Sequence, residues 1–97
     1  KGSKKHIAYA ASKAALANMT LSFSALLAPK VKVNSIAPAL IKFNQDDDSN
    51  YRSKALTKSL IPREGGYQEI FNALDYLINS HYVTGRTLSI DGGRHLK

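Results

Sequence analysis

The sequence predicts an α/β fold with parallel strands. A long Ala- and Leu-rich run reads as a helix that stops at a proline, and two short β-branched segments read as strands, each following a helix. A long polar stretch separates the two helix–strand pairs. The order helix, strand, loop, helix, strand brings each strand out of a helix, which suits a parallel sheet covered by helices.

The first helix is expected over 9–28. It contains no glycine, is rich in strong helix formers, and meets Pro29, which cannot continue it. At about 100° per residue, Tyr9, Lys13, Leu16, Thr20, Phe23 and Leu27 share one face. Ala11, Ala14, Ala15, Asn18, Ser22 and Ala25 form the opposite face, whose small side chains allow close approach of another helix, in the same domain or in a second subunit. VKVNSIA, residues 31–37, reads as a buried strand that Pro38 ends.

Residues 39–66 are irregular and polar, with helical turns expected around 51–60; a segment this long between regular elements is usually functional or mobile. Helical spacing returns over 67–80, with Ile70, Phe71, Leu74, Leu77 and Ile78 on one side. A closing strand over 87–91 is entered after Gly85 and ended by Gly92-Gly93. The 97 residues make one domain or part of one. A chain of this size buries only a little over half of its unfolded surface, and is marginal on its own.

Composition narrows the function classes. There is no cysteine, which excludes disulfides and thiolate metal sites and favours a cytoplasmic setting. The net charge is +7, with the basic residues dispersed apart from Lys1, Lys4 and Lys5 at the start of the sequence. No nucleic-acid recognition motif or interleaved aromatics accompany that charge, so no nucleic-acid partner is expected. The opening Lys-Gly-Ser-Lys-Lys has no apolar run and is not a signal peptide. The longest apolar stretch, 14–28, is interrupted by Asn18, Thr20, Ser22 and Ser24 and is too short to span a bilayer, so no membrane is expected.

The residues best suited to chemistry are Tyr9 and Lys13. Side chains at i and i+4 are neighbours on a helix, so the lysine can lie beside the phenol. A phenol titrates near pH 10, and an adjacent ammonium favours its ionised form, moving it toward the range of a general acid or base. An aromatic ring packed on a lysine stem has the same spacing. Asp46-Asp47-Asp48-Ser49-Asn50 resembles a calcium loop, but Tyr51 stands where a glycine is needed and Thr57 where a glutamate is, so a solvated acidic turn fits better. His6, His81 and His95 have no metal-ligand spacing, and no metal is expected. Asn34 suits a satisfied amide within a strand, and Gly92-Gly93 a tight turn.

Context strengthens the Tyr9/Lys13 pair. The run Tyr9-Ala-Ala-Ser-Lys13-Ala-Ala-Leu resembles the active-site helix of the short-chain dehydrogenase/reductase family. VKVNSIAP, residues 31–38, resembles that family's next strand, and Thr84-Gly85-Arg-Thr-Leu-Ser-Ile-Asp91-Gly92-Gly93 its closing strand and turn. Ala37-Pro38-Ala39-Leu40-Ile41 and Phe43-Asn44, with Asp47-Asp48, Tyr51-Arg52, Ala55-Leu56, Lys58-Ser59-Leu60 and the ending 91–96, are most similar to the pteridine-reducing branch of the family.

The resemblance implies the C-terminal part of a Rossmann-type, doubly wound parallel-sheet domain whose N-terminal cofactor-binding half is absent. It implies NADPH-dependent reduction of a dihydropterin, either dihydromonapterin or dihydrofolate, to the tetrahydropterin. Tyr9 and Lys13 would be catalytic, with Lys13 also holding the nicotinamide ribose. Pro38, Ala39 and Ile41 would meet the cofactor through the backbone, and Leu40, Phe43 and Arg94 would meet the substrate. A ligand beyond the carboxyl end of a strand is where open α/β sheets place one. The proton reaching the pterin nitrogen would come from Tyr9 or from water.

The chain departs from the family at four points. It contains no glycine-rich cofactor loop, and the active-site serine would precede Lys1; Ala39 stands for the usual glycine and Phe43 for a common threonine. These departures leave the 97 residues alone expected to be inactive. A homo-oligomer through the small-residue face of helix 9–28 is expected, and a non-catalytic fragment that only associates through that face is the first rival reading. A small basic nucleic-acid binder is the second.

Overall fold

The structure, a computed structural model, describes residues 6–97, so the basic cluster of Lys1, Lys4 and Lys5 lies outside it. The chain divides into two compact units. One holds the chain up to Ser35 with His81–Thr87, and the other holds Ile36–Ser80 with Leu88–Lys97.

In the first unit, helix α1 runs over Ile7–Leu27, beginning two residues ahead of the expected start. Its end follows from Pro29. Ala28 donates the last helical hydrogen bond to the Ser24 carbonyl at 3.1 Å and is itself extended, because a residue before proline avoids the helical region. Three hydroxyls inside the helix are satisfied locally: Ser12 donates to Ala8 O, Thr20 to Leu16 O and Ser24 to Leu21 O, at 2.8–3.0 Å. Thr20 and Ser24 are its buried residues. Gly85 explains why: a Cβ there would lie 2.9 Å from Ser24 Oγ, so the 81–87 segment passes the helix at backbone distance. Much of the helix is open elsewhere, with Ile7 and Leu26 over 70% exposed.

The first strand is shorter than the sequence suggests. β1 is Ser35–Pro38 rather than 31–37. Residues 33–34 still run beside 83–86, but side chains interrupt the ladder. Gly85 N–H donates to Val33 O at 2.8 Å, Val33 N–H donates to the Thr84 hydroxyl, and the Asn34 amide engages Val83 and Arg86. Side-chain bonds satisfy the backbone without forming the regular pairing that defines a strand.

β1 pairs with β2, Thr87–Ile90, in a two-stranded sheet. Ser35 N–H donates to Arg86 O at 2.9 Å and Ala39 N–H to Ile90 O at 3.0 Å. Both partners advance together, which makes the strands parallel.

In the second unit, α2 covers Ser49–Leu56 and α3 covers Tyr67–Asn79. α2 starts at 49 because the Asp48 carboxylate accepts the Tyr51 N–H at 2.8 Å, a side-chain N-cap. The acidic turn is thereby used as a cap and a loop brace. α3 differs from its expected face: Ala73 is buried and Ile70 and Leu77 are half-buried, while Phe71, Leu74 and Ile78 are exposed. The apolar stripe is wider than the surface that covers it. Among the described residues, Ala73 is the one buried apolar side chain, and no large side chain is fully buried.

Candidate active site

Tyr9 and Lys13 belong to the first unit. Successive turns of α1 bring them together, with Lys13 Nζ 5.4 Å from the centre of the Tyr9 ring. The ammonium lies over the aromatic face, where the ring's negative quadrupole attracts it. His6 meets the same ring edge-on, with centroids 6.5 Å apart. Tyr9 is 64% exposed, so the phenol is accessible to a ligand.

The other six candidates belong to the second unit, and the structure brings them together. Pro38, Ala39, Leu40, Ile41, Phe43 and Arg94 line one cavity of about 380 Å³ beyond the carboxyl end of β1. That volume is within the range of small-molecule sites. Leu40 turns the chain there with φ of 54°, a left-handed conformation that is costly for a residue with a side chain. Two bonds hold it: Gly65 N–H donates to Leu40 O at 2.9 Å and Gly66 N–H to Ile41 O at 2.8 Å. Gly65 packs closely there, since a Cβ would lie 3.3 Å from Ile41 Cδ1, a contact to which the isoleucine side chain would have to yield.

Several contributors to this cavity were not assigned from sequence. Tyr51 and Tyr67 line it, and Phe43 and Tyr51 meet edge-to-face at 6.2 Å and 76°. Lys42 Nζ sits 5.7 Å from the Tyr67 ring centre. Glu64 accepts the Phe43 N–H at 2.8 Å, and Arg52 donates to the carbonyls of Asn44 and Asp47. These partners are separated by loop residues with no periodicity, so spacing alone held no signal for them.

A second cavity in this unit, about 310 Å³, is lined by Ala39, Leu40, Ser59, Ile61, Asp91 and His95, among others. Asp91 organises its C-terminal rim. Its carboxylate accepts from Gly93 N–H at 3.0 Å and His95 N–H at 3.2 Å, and pairs with His95 Nδ1 at 2.9 Å. Burial works to raise the Asp91 carboxyl, but the hydrogen bonds from the His95 ring and the two N–H groups prevail, holding it below the usual carboxylate value.

The first unit thus offers a phenol beside an ammonium, and the second a cavity beyond a strand end held by a strained turn. The chain belongs to the short-chain dehydrogenase/reductase family: the family model described as Enoyl-(Acyl carrier protein) reductase matches residues 1–95. The dihydromonapterin reductase of Escherichia coli O6:K15:H31 is 62% identical over all 97 residues, and that of Citrobacter koseri 60%. The chain spans 40% of the length of these relatives.

Solved structures agree on the fold. FolM Alternative dihydrofolate reductase 1 from Brucella suis, in complex with NADP, matches with a TM-score of 0.82 and 29% identity, over 92% of this chain and 36% of that one. A 4-hydroxyisoleucine dehydrogenase complexed with NADH matches with a TM-score of 0.83 and 28% identity, over 93% and 40%. Among the described residues, no helix is long and apolar enough to cross a membrane.

Proposed function

We propose that this segment belongs to an NADPH-dependent reductase of dihydropterins, with dihydromonapterin as the preferred substrate and dihydrofolate as a second. The observation that carries the reading is the Lys13 ammonium held against the Tyr9 ring on an accessible helix face. The names of the relatives, at about 60% identity, support the pterin. The NADP in the Brucella suis structure supports the cofactor.

The residues present fit a nicotinamide nucleotide. Lys13 offers an ammonium to ribose hydroxyls. At Ile41 one carbonyl lone pair is occupied by Gly66, which leaves the N–H and the second lone pair for a carboxamide. NADPH, when bound, supplies the hydride. Tyr9 holds the proton that ends on the pterin nitrogen, directly or through a water, and Lys13 stabilises negative charge developing on the phenol oxygen. Leu40, Phe43 and Arg94 seat the substrate, Phe43 by its flat apolar ring and Arg94 by its charge. Ala11, Ala14 and Ala15 are exposed on α1, as association of two copies through that face requires.

The test uses the enzyme at the length of its relatives. It should oxidise NADPH when given dihydromonapterin, and Tyr9→Phe should slow turnover about 100-fold or more, the usual contribution of a general acid. Unchanged turnover in Tyr9→Phe would refute the assignment of Tyr9.

A further inference from the structure

Behind the wall of the 380 Å³ cavity stands a side chain to which the proposed function gives no role. Arg52 is half-buried on α2 and grips the loop before that helix in three ways. Its Nη2 donates to Asn44 O at 2.8 Å and its Nε to Asp47 O at 3.0 Å, while the guanidinium carbon lies 5.3 Å from the Phe43 ring centre. Phe43, Asn44, Asp47 and Tyr51 all line the cavity, whereas Arg52 touches the wall from outside the lining. Asp47 completes the brace by accepting Asn44 N–H at 2.9 Å.

We infer that Arg52 is a positioning residue for the substrate ring: by stapling residues 43–47 to α2, it sets the edge-to-face corner of Phe43 and Tyr51 against which a flat heteroaromatic ring lies. This rests on the proposed pterin reduction. Guanidinium chemistry suits the task. One planar fork meets two carbonyls while its face stacks on an aromatic ring, and an ammonium cannot do both at once. A ring displaced by an ångström loses alignment with the reacting bond, at a cost in rate and affinity.

The experiment compares full-length wild type, Arg52→Ala, Arg52→Lys, Phe43→Leu and the Arg52→Ala/Phe43→Leu double variant. Two measurements are made, steady-state kinetics with dihydromonapterin and NADPH, and amide hydrogen exchange over 43–51. Arg52→Ala should raise KM for the pterin about tenfold or more, leave KM for NADPH within about twofold, and speed exchange at 43–51. Arg52→Lys should recover only part of the loss. In the Phe43→Leu background the Arg52→Ala effect on pterin KM should largely vanish, because the ring being positioned is gone.

Unchanged pterin KM and exchange in Arg52→Ala, or equal rises in both KM values, would overturn the positioning role while the pterin reading stands. A wild-type enzyme that turns over no dihydropterin would overturn both, and is seen before any variant is made.

Discussion

The side-chain oxygen of Asn34 accepts the backbone N–H of Arg86 at 3.0 Å, and its nitrogen donates to the Val83 carbonyl at 3.0 Å. One amide thus holds two backbone groups where the β1–β2 ladder has not yet begun. Asn34→Leu removes both bonds and leaves a part-buried carbonyl without its donor. Unfolding midpoints in denaturant should fall by the equivalent of about 2 kcal/mol, the sum expected for two such bonds. Asn34→Asp keeps the acceptor and loses the donor, and should fall between the two.

Acid should weaken the C-terminal turn. The Asp91 carboxyl sits below its ordinary value in the folded chain, so the folded state favours the carboxylate more than the unfolded state does. The stability it contributes is complete above the unfolded carboxylate range, near pH 4, and is lost as pH falls through the lower folded value. Thermal unfolding of the full-length enzyme from pH 6 to pH 2.5 should show a shallower acid decline in Asp91→Asn than in wild type. Equal declines would count against the Asp91–His95 turn as a source of acid sensitivity.

Gly93 is required by geometry. Its φ is 82°, and a Cβ would lie 3.0 Å from Leu60 Cδ1 and 3.1 Å from Leu60 Cβ. Gly93→Ala combines a left-handed residue with a contact that must give way, and should cost about 1–3 kcal/mol. Gly66 has a similar φ of 87° but nothing within 4 Å of the added carbon, so Gly66→Ala should cost only the backbone strain. Denaturant midpoints of the two variants decide the order.

Lys13 is proposed to have two duties, and its removal should reveal both. Lys13→Met keeps the aliphatic stem that packs on Tyr9 and deletes the charge. It should raise KM for NADPH and lower kcat, each by about tenfold or more, as loss of a charged hydrogen-bond donor predicts. Its unfolding midpoint should stay near wild type because both side chains are exposed. A change in stability with kinetics intact would show a packing role only.

Much of the architecture was legible because it rests on local rules. The 9–28 helix was visible in its Ala-Leu content and its stop at Pro29, and the observed α1 differs only at its ends. The parallel arrangement followed from element order, and Tyr9 and Lys13 were paired by helical pitch alone. The same sequence run linked the pair to a family, which the match over residues 1–95 shows.

The second unit's cavity was different in kind. Its positions Pro38–Ile41 and Phe43 were marked by resemblance, but Tyr51 and Tyr67 reach it, and Arg52 and Glu64 brace its wall, across loop residues that carry no period. Asn34 shows the same limit: composition reads 31–37 as a strand, yet its amide and the Thr84 hydroxyl take bonds that a ladder would have used. Sequence by itself determined the helices, the strand order and the Tyr9/Lys13 pair, because turn-to-turn geometry is set within a few residues. Only the tertiary structure decided where β1 begins, which part of α3 is covered, and what braces the Phe43 corner. Those depend on which distant donors and acceptors come within hydrogen-bond reach.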